Sequence, residues 1–116
     1  MTVESDVHAA LSALVDGRVY PDVAGAGAVL PWIVYQQVGG AAVESLDVGR
    51  SGYRNATFQL SCWAADRAAA AALARTVEDT LTASATLQAT ALGAMAADHE
   101  PDTKRYGARQ DFSVWY

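Results

Sequence analysis

The segment Asp98-His99-Glu100-Pro101-Asp102 gathers more ligating side chains than any other stretch of the chain. Carboxylate oxygens and one imidazole are the donors that hold zinc or calcium. Only one of the four donors is His, however, and no regular spacing puts them on one face. A tip rich in acids and proline reads as solvated surface, so no metal site is expected. His8 and His99 would serve acid–base chemistry only if folding brought them to a nucleophile, and no Gly-x-Ser-x-Gly elbow is present. Cys62 is the sole cysteine. It sits among apolar neighbours with no basic partner close in sequence, and there a thiol behaves as a small hydrophobe rather than as a nucleophile. The carboxylate pairs Glu44 with Asp47 and Glu78 with Asp79 read as surface charge. Gly25-Ala26-Gly27 is followed by no Gly-Lys-Ser/Thr, so it is not a phosphate loop. The expected inventory therefore contains no catalytic residue, no metal ligand and no cofactor site.

The elements that would position these side chains follow from periodicity. Val3, Val7, Ala10, Leu11, Leu14 and Val15 recur at helical spacing and predict a helix from about Glu4 to Val15, stopped at Gly17. Val19-Tyr20 is a short strand candidate within a connection running from Arg18 to Pro31. Trp32–Val38 predicts a strand apolar on both faces, hence central or covered on both sides. Gly39-Gly40 marks a turn. Ala41–Val48 is expected to return as a strand, making Gly39 to Gly52 an extended hairpin or flap. Asn55–Trp63 alternates cleanly, with Ala56, Phe58, Leu60 and Cys62 on one face and Thr57, Gln59, Ser61 and Trp63 on the other. Asp66 is the expected N-cap of a second helix, about Arg67 to Thr82, whose buried stripe is Ala70, Leu73, Ala74, Val77 and Leu81. Leu87–Ala97 predicts one or two strands leading to the polar Asp98–Asp102 tip. Tyr106–Tyr116 closes the set, with Ala108, Gln110, Phe112 and Val114 sharing a face.

The sum is an α+β fold: two helices packed on a mostly antiparallel sheet, in the order α-β-β-β-α-β-β, read as one domain over residues 1–116. A chain of 116 residues that is 52% hydrophobic can build such a core. Its net charge of -5, with Lys104 the only lysine, argues against non-specific binding to a phosphate backbone. The N-terminus carries acid where a signal peptide carries base. The longest apolar run, Val23–Tyr35, is broken by Gly25, Gly27 and Pro31 and is too short to span a bilayer. A soluble, cytoplasmically made protein with no membrane partner is expected.

Aromatic placement is the feature that asks for a role. Trp63 and Trp115 fall on the more polar faces of their strands. Either the second helix covers them, or they and Tyr116 belong to a subunit interface, where Trp and Tyr are enriched. Gly39, Gly40, Arg50 and Gly52 are the corresponding candidates for a loop that contacts a partner.

Three segments carry a resemblance: Leu30-Pro31-Trp32-Ile33-Val34-Tyr35, Leu60-Ser61-Cys62-Trp63-Ala64 ahead of an Ala-rich helix, and the final Phe112-Ser113-Val114-Trp115. In this order they resemble the small tail completion, or tail-to-head joining, proteins of long-tailed bacteriophages, which include tail terminators. The resemblance implies a non-enzymatic virion protein that assembles with itself into a ring, typically a hexamer, at the head-proximal end of the tail. Its implied neighbours are the tail tube protein and the head–tail connector proteins, with DNA passing through the channel without specific binding. Assembly would take place in the host cytoplasm. The matching residues determine the fold, so no catalytic role transfers with them. Two other readings compete. One is a head–tail connector adaptor. The other is a small cellular ligand-binding or enzymatic α+β domain, which requires a concave pocket with convergent polar groups.

Overall fold

Period-two alternation decides the centre of the molecule. The computed structural model describes residues 2–41 and 54–116. In β3, Asn55–Ala64, every second residue is buried, and Phe58 is fully excluded from solvent. β3 runs antiparallel to β6, Arg105–Trp115, through ten pairs from Asn55–Trp115 to Ala64–Tyr106. On its other side it pairs antiparallel with β2, Trp32–Gln37. The short β1, Val19–Pro21, joins β2 in parallel. β4, Ala89–Ala91, and β5, Ala96–Glu100, share the far edge of β6: β4 pairs with Phe112–Val114 and β5 with Arg105–Arg109. The path across the sheet is β1-β2-β3-β6-β4, with β5 beside β6. This is the expected α+β architecture with a mostly antiparallel sheet.

Both helices lie on one face. α1, Val3–Leu11, starts with a capping box in which Thr2 and Ser5 exchange hydrogen bonds. It presents Val3, Val7 and Leu11 to the core. The expected continuous helix to Val15 is instead an α-helix followed by a 3-10 turn, Ser12–Leu14. Ser12 Oγ donates to the His8 carbonyl at 2.8 Å, a back-bond that competes with continuation of the helix. Gly17, at φ +80, closes the turn as its N–H reaches Ser12 O at 2.8 Å. α2, Arg67–Ala83, is capped by Asp66, whose side chain accepts from Ala69 N at 2.7 Å. Its alanines Ala70 and Ala74 bring it close to the sheet, with Val77 and Leu81 completing the stripe. Phe58, Phe112, Ile33, Leu60 and Leu87 fill the space between the layers. Full burial of each such side chain contributes about 1.5–3 kcal/mol.

After α2 the described elements include one strand more than the order α-β-β-β-α-β-β, because Leu87–Ala97 takes the two-strand form of its one-or-two-strand reading, with β5 running on to Glu100. The polar tip also needs correcting. Asp98, His99 and Glu100 are strand residues of β5, paired with Gly107, Tyr106 and Arg105, and the turn itself is Pro101–Lys104. The β6 ladder supplies backbone partners that override the poor strand propensity of these side chains. The predicted Ala41–Val48 strand and most of the Gly39 to Gly52 flap lie outside the described residues. Among the described residues no helix is long and apolar enough to cross a membrane.

Candidate interaction face

Among the described residues no helix lies on the second face of the sheet. Because side chains alternate, the residues opposite the core line it: Val34 from β2, Thr57, Gln59, Ser61 and Trp63 from β3, and Arg109, Asp111, Ser113 and Trp115 from β6. Trp63 and Trp115 thus share a face, and it is not the one that α2 covers. They stand at opposite ends of it, since Trp63 pairs with Gly107 and Trp115 with Asn55.

At one end the register sets Trp32 beside Trp63 and Trp63 beside Gly107. Gly107 lacks the side chain that would block the neighbouring indole; a Cβ there would stand 2.9 Å from Trp63 Cζ3. The indole therefore lies over the β6 backbone. Trp32 is 5% exposed although no helix among the described residues covers it. The Arg105 guanidinium sits over its ring, 4.9 Å from the centroid, and reaches Glu100 at 3.9 Å. The crossover from β1 to β2 adds a wall. Asp22, Val23 and Ala24, together with Trp32, Val34, Ser61, Trp63, Glu100 and Arg105, enclose a groove of about 260 Å³. Its floor is aromatic and its rim carries two carboxylates.

At the other end the β3–β6 ladder continues beyond the strands. Arg54 and Tyr116 exchange backbone hydrogen bonds of 2.7 and 3.0 Å. Asn55 Nδ2 donates to Ser113 Oγ at 2.8 Å, and Asn55 Oδ1 accepts from Ala41 N at 2.8 Å. Trp115 and Tyr116 are both partly exposed here. Gly39 and Gly40 adopt φ +114 and +150. A side chain at Gly40 would run into the Asn55 carbonyl oxygen, so only glycine fits. Arg50 and Gly52 lie outside the described residues.

The groups considered for chemistry are each engaged separately. His8 Nδ1 lies 3.2 Å from Ser12 Oγ on its own helix. His99 stacks on Tyr106, with ring centroids 4.4 Å apart. Cys62 is buried, and burial pushes its thiol up to about 12. Among the described residues no three His, Cys, Asp or Glu side chains are grouped to hold a metal ion. In the one buried polar side chain among the described residues, Gln110, Nε2 donates to Glu78 Oε1 and to Gly93 O, each at 2.6 Å. It bridges α2 to the excursion between β4 and β5. Arg67 braces the opposite end, donating to Gly107 O at 2.6 Å and to Asp98 O at 2.5 Å while lying over Tyr106.

Sequence reasoning found Trp63 and Trp115 but missed Trp32, Arg105 and Gly107 as parts of one site. A glycine inside an alternating strand was the available signal, since it marks close approach of another group.

Among the described residues the sheet is buried on one side and offers an aromatic, polar surface on the other. Comparison with protein families makes the class specific. The model of the family described as tail completion protein gp17 matches residues 6–116, and the chain belongs to that family. Its role is structural, as a component of the phage virion tail. A comparison with curated proteins gave no match.

Proposed function

We propose that the chain is a ring-forming tail completion subunit that closes the head-proximal end of the tail and joins it to the head. The observation that carries this reading is the sheet face on which no helix lies among the described residues, with Trp63 at one end and Trp115 at the other, in a chain whose family match runs from residue 6 to 116. A subunit with distinct surfaces at its two ends suits a closed cyclic assembly, in which every copy uses both. Its partners would be further copies of itself, most simply six, then the tail tube protein on one side and the connector proteins on the other. The net charge of -5 suits a conduit along which DNA slides without sticking. The subunit's work is geometric rather than chemical, and assembly would precede or accompany tail maturation in the host cytoplasm.

Light scattering across a concentration series tests the ring, with a discrete closed oligomer near six subunits as the expected result. Binding to purified tails and to filled heads tests the placement. Capture by headless tails supports the terminator role, whereas capture by filled heads alone moves the protein to the connector side.

A further inference from the structure

The strands along the far edge of β6 do not match it in length. Leu92 N–H donates to Asp111 O at 2.9 Å, and Ala96 pairs with Arg109. Between these contacts β6 contributes one residue, Gln110, whereas the opposing chain contributes three, Gly93, Ala94 and Met95. The surplus of two forms a bulge.

Side chains alternate with a period of two, so moving β5 two residues along β6 keeps every side chain on its present face. Such a move absorbs the bulge and leaves an unbroken ladder, from Leu92 opposite Asp111 to Asp98 opposite Arg105. β5 itself offers little resistance. All five of its residues are exposed, and Ala96 and Ala97 have no bulk with which to fix a register.

The moved strand finds equivalent partners. Asp98 arrives opposite Arg105, where Glu100 now stands, so a carboxylate faces the guanidinium in both registers. Ala96 replaces Asp98 opposite Gly107, and its carbonyl replaces the Asp98 carbonyl as the acceptor for Arg67. Met95, 37% exposed, arrives opposite buried Ala108 on the helix-bearing face. A cavity of about 190 Å³ already lies beside that place, between Ala71, Ala74, Arg75 and Glu78 of α2 on one side and Met95 and Gln110 on the other. An unbranched thioether suits an irregular space of this kind. Two contacts belong to the present register alone: Gln110 Nε2 donates to Gly93 O at 2.6 Å, and the His99 ring stacks on Tyr106 at 4.4 Å.

We propose that β5 is a two-register strand, in which a slip of two residues exchanges the Gly93–Met95 bulge for a longer tip. His99 and Glu100 then leave the ladder, and the turn grows from Pro101–Lys104 to His99–Lys104. A neighbouring molecule that engages the longer tip draws β5 into the slipped register and, by linkage, seats Met95 under α2.

Chemical-exchange saturation transfer NMR on the full chain tests the slip. One shared exchange process is expected across the amides of Gly93 to Glu100 and of Arg105 to Arg109, with β2 and β3 quiet. Gln110→Ala removes the bond to Gly93 and is expected to raise the minor population about fivefold. Met95→Asp, which would carry a carboxylate under α2, is expected to lower it about tenfold. Mere loosening of the edge would move both variants in the same direction, and that result overturns the slip. Two cysteine pairs leave Gln110 in place, and they decide the matter even where Gln110→Ala does not fold. Oxidised Ala94→Cys/Arg109→Cys joins residues that face each other only after the slip, and its chemical shifts at His99 and Tyr106, remote from the link, are expected to match the minor state. Oxidised Ala96→Cys/Arg109→Cys fixes the present register and is expected to abolish the exchange. Cys62 lies buried on the other face of the sheet and takes no part. No shared exchange in either the wild type or Gln110→Ala, or shifts in the Ala94–Arg109 link unlike the minor state, overturns the proposal.

Discussion

Substituting Gly107 by alanine should reverse its effect on stability depending on what occupies position 63. The added Cβ would stand 2.9 Å from Trp63 Cζ3 and 3.0 Å from Cε3 and Cη2, against about 3.5–4.0 Å for relaxed carbon contacts. The indole can lift by roughly half to one ångström, an overpacking that costs about 1–3 kcal/mol. Alternatively it can swing away from β6. A tryptophan buries about 150–250 Å², and losing half of that at about 25 cal/mol/Å² costs about 2–3 kcal/mol. Alanine offsets part of either cost by narrowing the unfolded ensemble, worth about 0.4–1 kcal/mol. The net expectation for Gly107→Ala is a loss of about 1–2 kcal/mol. In a Trp63→Ala background the clash is gone and only the entropic gain remains, so the same substitution should stabilise by about 0.4–1 kcal/mol. Urea unfolding followed by far-UV circular dichroism measures both. With a slope of about 1–3 kcal/mol/M, the first change lowers the midpoint by about 0.3–2 M and the second raises it by less. Equal losses in the two backgrounds would refute the claim that Gly107 is glycine to accommodate the Trp63 ring.

Other consequences can be checked with the same purified protein. Asp66→Ala removes the acceptor for Ala69 N and should destabilise by about 1 kcal/mol, with Asp66→Asn recovering most of it; equal melting temperatures for the two variants would count against the cap. Gly40→Ala combines a φ of +150 with a collision at the Asn55 carbonyl and should cost more than about 2 kcal/mol, read as a fall in thermal midpoint. For Cys62, burial raises the folded-state value from 9.0 to about 12. The unfolded thiol therefore ionises first as pH rises, so its contribution is intact below pH 9 and is lost progressively toward pH 12. Native protein should react with a thiol reagent at pH 8 only on unfolding, and rapid stoichiometric labelling of the folded form would contradict the burial.

The parts of this fold that were legible in the sequence are those whose signal is local. Ala56, Phe58, Leu60 and Cys62 alternate without interruption, and each faces the core. Asp66 stands at the start of a long stripe of small and aliphatic residues and does cap it. Gln110 was placed on the buried face by register alone, and there it finds Glu78 and Gly93. The failures share a different cause. β5 looked like a solvated tip because Asp98-His99-Glu100 has little strand propensity, and only the β6 ladder makes it a strand. The helix predicted to Val15 tightens at Ser12 because a hydroxyl turns back onto the His8 carbonyl. The candidate face was half legible. Trp63 and Trp115 announced themselves by sitting on polar faces, whereas the stacking of Arg105 on Trp32 joins residues far apart in the chain. Nothing in the spacing of Pro31-Trp32 or Lys104-Arg105 encodes it.

The ten-pair ladder between β3 and β6 also has a mechanical meaning. The two strands run in opposite directions, so tension applied along them and drawn from opposite ends stresses every pair in shear at the same time. Rupture in that geometry needs many hydrogen bonds to fail together, whereas a strand peeled from its end yields one bond after another. Arg67 ties the β5–β6 end to α2, so strain arriving there spreads into the helix layer. A subunit built this way stiffens against pulling along its central strands and gives first where β1 and β4 hold the margins by only three pairs each.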